Sequence, residues 1–128
     1  MSLRSPMSRV LGLGTAKGGS HHWWMQRVTS IALLILTLWF VASLLSFPSY
    51  DYPLVTGWIG KPFNAVMLSL LIATATYHSQ LGVQVVVEDY VVDKFLKILV
   101  MILLSFVHAA LAALGIFAVL RIAFGAAA

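Results

Sequence analysis

The residues whose types and spacing can do chemistry lie in Tyr77-His78-Ser79-Gln80-Leu81-Gly82-Val83-Gln84-Val85-Val86-Val87-Glu88-Asp89-Tyr90, an apolar run that carries one imidazole and closes on two acids and a tyrosine. An ionisable side chain inside a membrane-length segment costs about 3 kcal/mol or more and marks a functional position by default. On a helix, the eleven residues from His78 to Asp89 make roughly three turns, which sets the two on one stripe about 16 Å apart. Gly82, one turn beyond His78, removes the side chain that would block a flat ligand on the imidazole. The pattern reads as a cofactor position with a second site above it at the membrane edge.

Other polar residues compete for attention, each with a plain alternative. His78 can serve only to hydrogen-bond a neighbouring helix, as polar residues in membrane bundles do. His108, about thirteen residues into its own span, sits at a similar depth, so a haem bridging His78 and His108 within this chain is open. Against it, Ala109, Ala110, Ala112 and Ala113 read as a small-residue packing surface. A protein zinc site is disfavoured, because no Asp, Glu or second His lies within a turn of His78 or His108. Arg27 and His21, at the mouth of the first span, read either as snorkelling positive-inside residues or as donors for an anion such as haem propionates. At the far end, Glu88 reads as a solvated loop residue. Asp89 and Tyr90 instead offer a phenol to a carbonyl oxygen and a carboxylate to orient it, which is what a quinone with access to protons requires.

The elements that position these groups follow from composition. The chain has 128 residues, 61% hydrophobic and 9% charged, with mean hydropathy +0.97, far from the roughly 25% charge of soluble domains. It is an all-α integral membrane protein. Cysteine is absent, which excludes thiolate metal sites and iron-sulfur ligation on this chain. The net charge of +4 does not form a nucleic-acid footprint, since half of the eight basic residues fall in the first 27 positions. Residues 1–19 form a basic, Gly-rich tail without acids; they lack the apolar core of a secretory signal and share some features of a mitochondrial transit peptide. Residues 20–128 form a single membrane domain. Ser20 is placed to cap a helix starting at His21, and spans are expected at about 27–47, 62–87 and 95–124. Pro48, Pro53, Gly57 and Gly60 are expected to exclude helix from the first connection, and Glu88 through Lys94 to form the second. Basic residues concentrate in the tail, at Arg27 and at Lys94 and Lys97, whereas the other side has only Lys61 and Arg121. The amino terminus is therefore expected on the cytoplasmic (or matrix) side and the carboxyl terminus opposite, with Asp89 and Tyr90 at the cytoplasmic face and His78 near the midplane.

The set His78, Gly82, Gln84 and Asp89-Tyr90, preceded by Ser20-His21 and Gln26-Arg27-x-Thr29, resembles the small hydrophobic membrane anchor of succinate dehydrogenase, respiratory complex II. The resemblance covers the chain from about residue 20 and is carried mainly by the second span. It implies that His78 is one axial ligand of haem b, with the opposing histidine on the cytochrome b subunit, and that Arg27 and His21 lie near the propionates. It also implies that Tyr90 hydrogen-bonds the ubiquinone head group beside Asp89, that the iron-sulfur and flavoprotein subunits complete the enzyme, and that the bacterial inner membrane is the location. No dehydrogenase chemistry is expected on this chain, which has no dinucleotide fingerprint. His108 has no role in this family pattern. A fumarate reductase anchor, or a cofactor-free three-helix scaffold or transport subunit, are the alternative readings.

Overall fold

In lipid every backbone N–H and C=O must find its partner within the segment, so long apolar stretches become helices. The computed structural model describes residues 19–125, and these form four helices and no strand: α1 (Gly19–Leu45), α2 (Tyr52–Ile59), α3 (Pro62–Tyr90) and α4 (Lys94–Ala123). Of these, α1, α3 and α4 are long and apolar enough to cross a membrane. Residues 1–18 of the basic tail lie outside the described residues.

Three boundaries differ from the sequence expectation, each for a local reason. First, α1 begins at Gly19, which puts Ser20 inside the first turn and the His21-His22-Trp23-Trp24 run on the helix. Second, the connection between α1 and α3 does contain a helix, α2. Pro53 occupies its first turn, where a missing N–H costs nothing, and the Thr56 hydroxyl donates back to the Tyr52 carbonyl at 2.7 Å. Third, Glu88, Asp89 and Tyr90 are the last turn of α3 and not a loop. Gln84 Nε2 donates to Glu88 Oε1 at 2.8 Å, and Lys97 Nζ donates to the Glu88 carbonyl at 2.7 Å, which satisfies a terminal group the helix would leave bare. Only Val91–Asp93 then link α3 to α4, and Asp93 Oδ1 caps α4 by accepting from Leu96 N at 2.7 Å.

The helices lie in a row with α3 in the middle. Both α1 and α4 pack along it, while α1 and α4 nowhere come within 8 Å of each other, Cα to Cα. Ala65, Leu68 and Val119 form the small buried core, with Trp39, Phe40, Trp58 and Ile72 packed around them. α4 approaches α3 tightly at Gly115, where an added Cβ would come within 2.9 Å of Ile72 Cγ2. The packing surface expected at Ala109, Ala110, Ala112 and Ala113 is not the one that meets α3. Ala109, Ala110 and Ala113 are exposed, because the stripe that meets α3 is the one carrying His108, Gly115 and Val119. At the α2 end, Trp58 stacks on Trp39 with centroids 5.5 Å apart and meets Phe47 edge-on at 5.4 Å, while Asn64 Nδ2 donates to the Trp58 carbonyl at 2.7 Å. These contacts fix the loop end of the row and leave the polar end to α1 and α3.

Candidate intramembrane histidine site

His78 turns from α3 toward α1 and is half-buried. Its Nδ1 lies 2.9 Å from the hydroxyl of Thr29, itself buried on α1. That hydroxyl has one proton, and it donates to carbonyls of its own helix, Met25 at 2.8 Å and Gln26 at 3.2 Å. With its proton turned to its own helix, Thr29 Oγ1 is placed to accept from His78 Nδ1–H, the tautomer in which Nε2 carries a lone pair. Gln26 Nε2 lies 3.3 Å from that nitrogen and donates to it. This is the arrangement a metal-ligating imidazole takes, with one nitrogen held by an acceptor and the other presented as a base.

Directly above, toward the start of α1, a cleft of about 650 Å³ opens between α1 and α3, lined by His22, Trp23, Gln26, Gly82, Val85 and Glu88 among others. Gly82 gives it room: a Cβ there would meet only Gln26 Nε2, at 3.9 Å. Two polar atoms of residues lining this cleft, His22 Nε2 and Gln26 Oε1, are shielded from solvent with no hydrogen-bond partner among the described residues, a state that costs about 1–3 kcal/mol per group. Arg27 is exposed and lies over the Trp23 ring, 5.5 Å from its centroid, so its cation stands at the rim. His21 is exposed and does not line the cleft.

The membrane-edge residues are brought less closely together. Asp89 and Tyr90 are both exposed on the last turn of α3, Tyr90 at 82%, and no described residue covers the phenol. His108 is separate from His78. It packs from α4 onto the opposite flank of α3, its Nδ1 donating to the Leu104 carbonyl at 2.8 Å and its Nε2 facing Ser79 Oγ at 3.3 Å. Because α3 stands between α1 and α4, the two imidazoles do not share a gap. Among the described residues no group of three or more His, Cys, Asp or Glu is placed to hold a metal ion.

Sequence reasoning gave Gln26 and Thr29 no role beyond the motif and passed over His22. A signal was present: positions 22, 26 and 29 fall on one helical face of an otherwise apolar span.

Three membrane-length helices with a polar, histidine-centred cluster between two of them define a multi-pass helical membrane protein. The chain belongs to the succinate dehydrogenase/fumarate reductase transmembrane subunit family, whose model matches residues 1–113. Its relatives carry a narrower name. It is 36% identical to the succinate dehydrogenase hydrophobic membrane anchor subunit of Rickettsia bellii over 69% of this chain and 70% of that protein. The subunit of the same name from Rickettsia conorii is 42% identical over 61% of this chain and 63% of that protein. The Paracoccus denitrificans subunit is 26% identical over 95% of this chain and 94% of that one.

Proposed function

We propose that this membrane anchor binds haem b and forms one wall of the ubiquinone-reduction site of a succinate:ubiquinone oxidoreductase, assembled with cytochrome b, iron-sulfur and flavoprotein subunits. The observation that carries the reading is the contact of His78 Nδ1 with Thr29 Oγ1 at 2.9 Å, which turns Nε2 toward Gln26 and the cleft beyond it that Gly82 keeps clear. The residues present fit a planar iron cofactor. They provide one imidazole, a cleft one turn beyond it that Gly82 widens, and buried polar atoms without partners among the described residues. When bound, haem would supply a one-electron redox centre.

The chain's own residues then have separable tasks. His78 would ligate the iron from α3, and Gln26, whose amide lies against Nε2, must swing aside for it. Thr29 holds the ring orientation and the proton at Nδ1. Arg27 and His21 supply donors to the propionates from the water-facing rim of α1. Tyr90 donates its phenol proton to a quinone oxygen, with Asp89 beside it to orient the phenol, and the partner subunits cover the face that Tyr90 exposes. The positive-inside pattern puts this end of the row at the cytoplasmic face, where protons for the quinone are available.

The names of the relatives favour succinate oxidation over the fumarate reductase direction. The test is a reduced-minus-oxidised optical spectrum of the complex purified with its partner subunits, together with a comparison of ubiquinone and menaquinone as acceptors. A b-type band and ubiquinone preference are expected. A spectrum without haem would return the histidines to helix packing, and menaquinone preference would reverse the direction.

A further inference from the structure

Resting on the haem reading above, we propose that His108 is a positioning residue for His78. With Ser79, and with the Gln80–Ser105 pair beside it, His108 fixes the rotation of α3 about its axis and hence the orientation in which the His78 imidazole is presented. Among the described residues, four side-chain-to-side-chain hydrogen bonds join one helix to another, and all four fall on the consecutive residues His78, Ser79 and Gln80. Two run from His78 to α1, at Gln26 and Thr29. The other two run to α4: Ser79 Oγ lies 3.3 Å from His108 Nε2, and Gln80 Nε2 donates to Ser105 Oγ at 3.2 Å.

Helix geometry explains how three neighbours in sequence reach both partners. Successive side chains point about 100° apart, so His78 and Gln80 face nearly opposite flanks of α3 and Ser79 lies between them. Ser79 and Gln80 therefore meet α4 at two edges of one contact. Turning α3 in either sense lengthens one of the two bonds. His108 is itself held, buried against α3 with Nδ1 donating to the Leu104 carbonyl of its own helix at 2.8 Å. In the neutral ring this leaves Nε2 to accept the Ser79 hydroxyl proton. The remainder of the α3–α4 contact has no comparable stop, because Ala65 and Leu68 pack on Val119, and Ile72 on Gly115. Apolar packing of this kind is non-directional. The imidazole on α4 thus acts on the one on α3 through the residue next to it in sequence, without sharing its cleft.

The experiment uses the complex assembled with its partner subunits, in wild-type, His108→Ala, Ser79→Ala, Ser79→Thr and Val119→Ala forms. Two properties are read: the g-values of the oxidised low-spin haem by electron paramagnetic resonance, which depend on the orientation of the axial imidazoles, and the melting temperature of each complex. His108→Ala and Ser79→Ala should keep low-spin haem but displace and broaden its largest g-value. Ser79→Thr keeps the hydroxyl and should match wild type. Val119→Ala, which loosens the apolar part of the same contact, should lower the melting temperature and leave the g-values in place. Wild-type g-values in either His108→Ala or Ser79→Ala would overturn the proposal, as would identical behaviour of Ser79→Ala and Ser79→Thr. An equal displacement in Val119→Ala would also overturn it, by showing that any loosening of α4 suffices. If His108→Ala does not assemble, the contrast between the two Ser79 variants decides. A wild-type complex without a b-type band would overturn the haem reading, and this inference with it.

Discussion

At the scale of single residues, the site turns on which atom of each imidazole is free. His78 and His108 lie at similar depth, yet both nitrogens of His108 are engaged within the α3–α4 contact, whereas Nε2 of His78 faces only a movable amide. His78→Ala should therefore remove low-spin haem from the purified complex while His108→Ala retains it, as read from the optical and electron paramagnetic resonance spectra. The opposite pattern would move the ligand to α4. Thr29 offers a finer test, because an acceptor at Nδ1–H makes an imidazole a stronger electron donor and favours oxidised iron. Thr29→Val should raise the haem midpoint potential and Thr29→Ser should leave it near wild type; equal potentials in all three would mean the contact has no influence on the ligand. For Tyr90, Tyr90→Phe deletes one phenol donor without touching the packing of an already exposed ring. A hydrogen bond that strengthens as charge develops on the quinone oxygen matters more in the reaction than in binding. Succinate-driven ubiquinone reduction should fall roughly tenfold, at about 1.4 kcal/mol per decade, while electron delivery from succinate to a soluble dye acceptor stays unchanged. Equal loss of both activities would reveal an assembly defect.

At the scale of elements, the site depends on α3 being gripped from two sides. α1 holds it through Thr29 and Gln26, and α4 holds it where Gly115 meets Ile72. An isopropyl group cannot enter that approach, since a single Cβ would already lie 2.9 Å from Ile72 Cγ2. Gly115→Val should separate the helices and destabilise the protein by about 1–3 kcal/mol, the usual cost of overpacking. The measurement is thermal unfolding of the detergent-solubilised complex, with partial recovery expected from the double variant that adds Ile72→Ala. A Gly115→Val melting curve superimposable on wild type would show that α4 is held elsewhere. The ends of the helices were the hardest feature to read from composition. Pro53 and Gly57 look like helix breakers until Pro53 is seen to occupy a first turn, and Glu88-Asp89-Tyr90 look like a loop until Lys97 and Gln84 are seen to hold the last turn.

At the scale of the whole molecule, a row of three spans leaves both broad faces uncovered, and many large apolar side chains from α1, α3 and α4 are exposed. Lipid and partner helices are the surroundings such a surface requires. The direction of insertion proposed from the positions of the lysines and arginines has a clean test, because the chain contains no cysteine. In spheroplasts, an impermeant thiol reagent should label Ser49→Cys, in the connection before α2, and should reach Lys94→Cys only after the membrane is opened. Labelling in the reverse order would invert the topology and put Asp89 and Tyr90 on the wrong face for cytoplasmic protons.

Hydropathy alone determines three membrane helices, because twenty or so apolar residues admit no other structure in a bilayer. Chemistry alone singles out His78, Gly82, Asp89 and Tyr90, since ionisable groups and a gap in side-chain bulk are conspicuous in an apolar run. Periodicity cannot tell which neighbour a face meets. Only the packing decided that His78 turns to α1 while His108 meets α3 from α4, that a threonine hydroxyl meets Nδ1 of His78, and that His22, not its neighbour His21, lines the cleft. Adjacent residues on a helix point about 100° apart, so a difference invisible in spacing becomes, once α3 stands between two partners, the difference between one site and another.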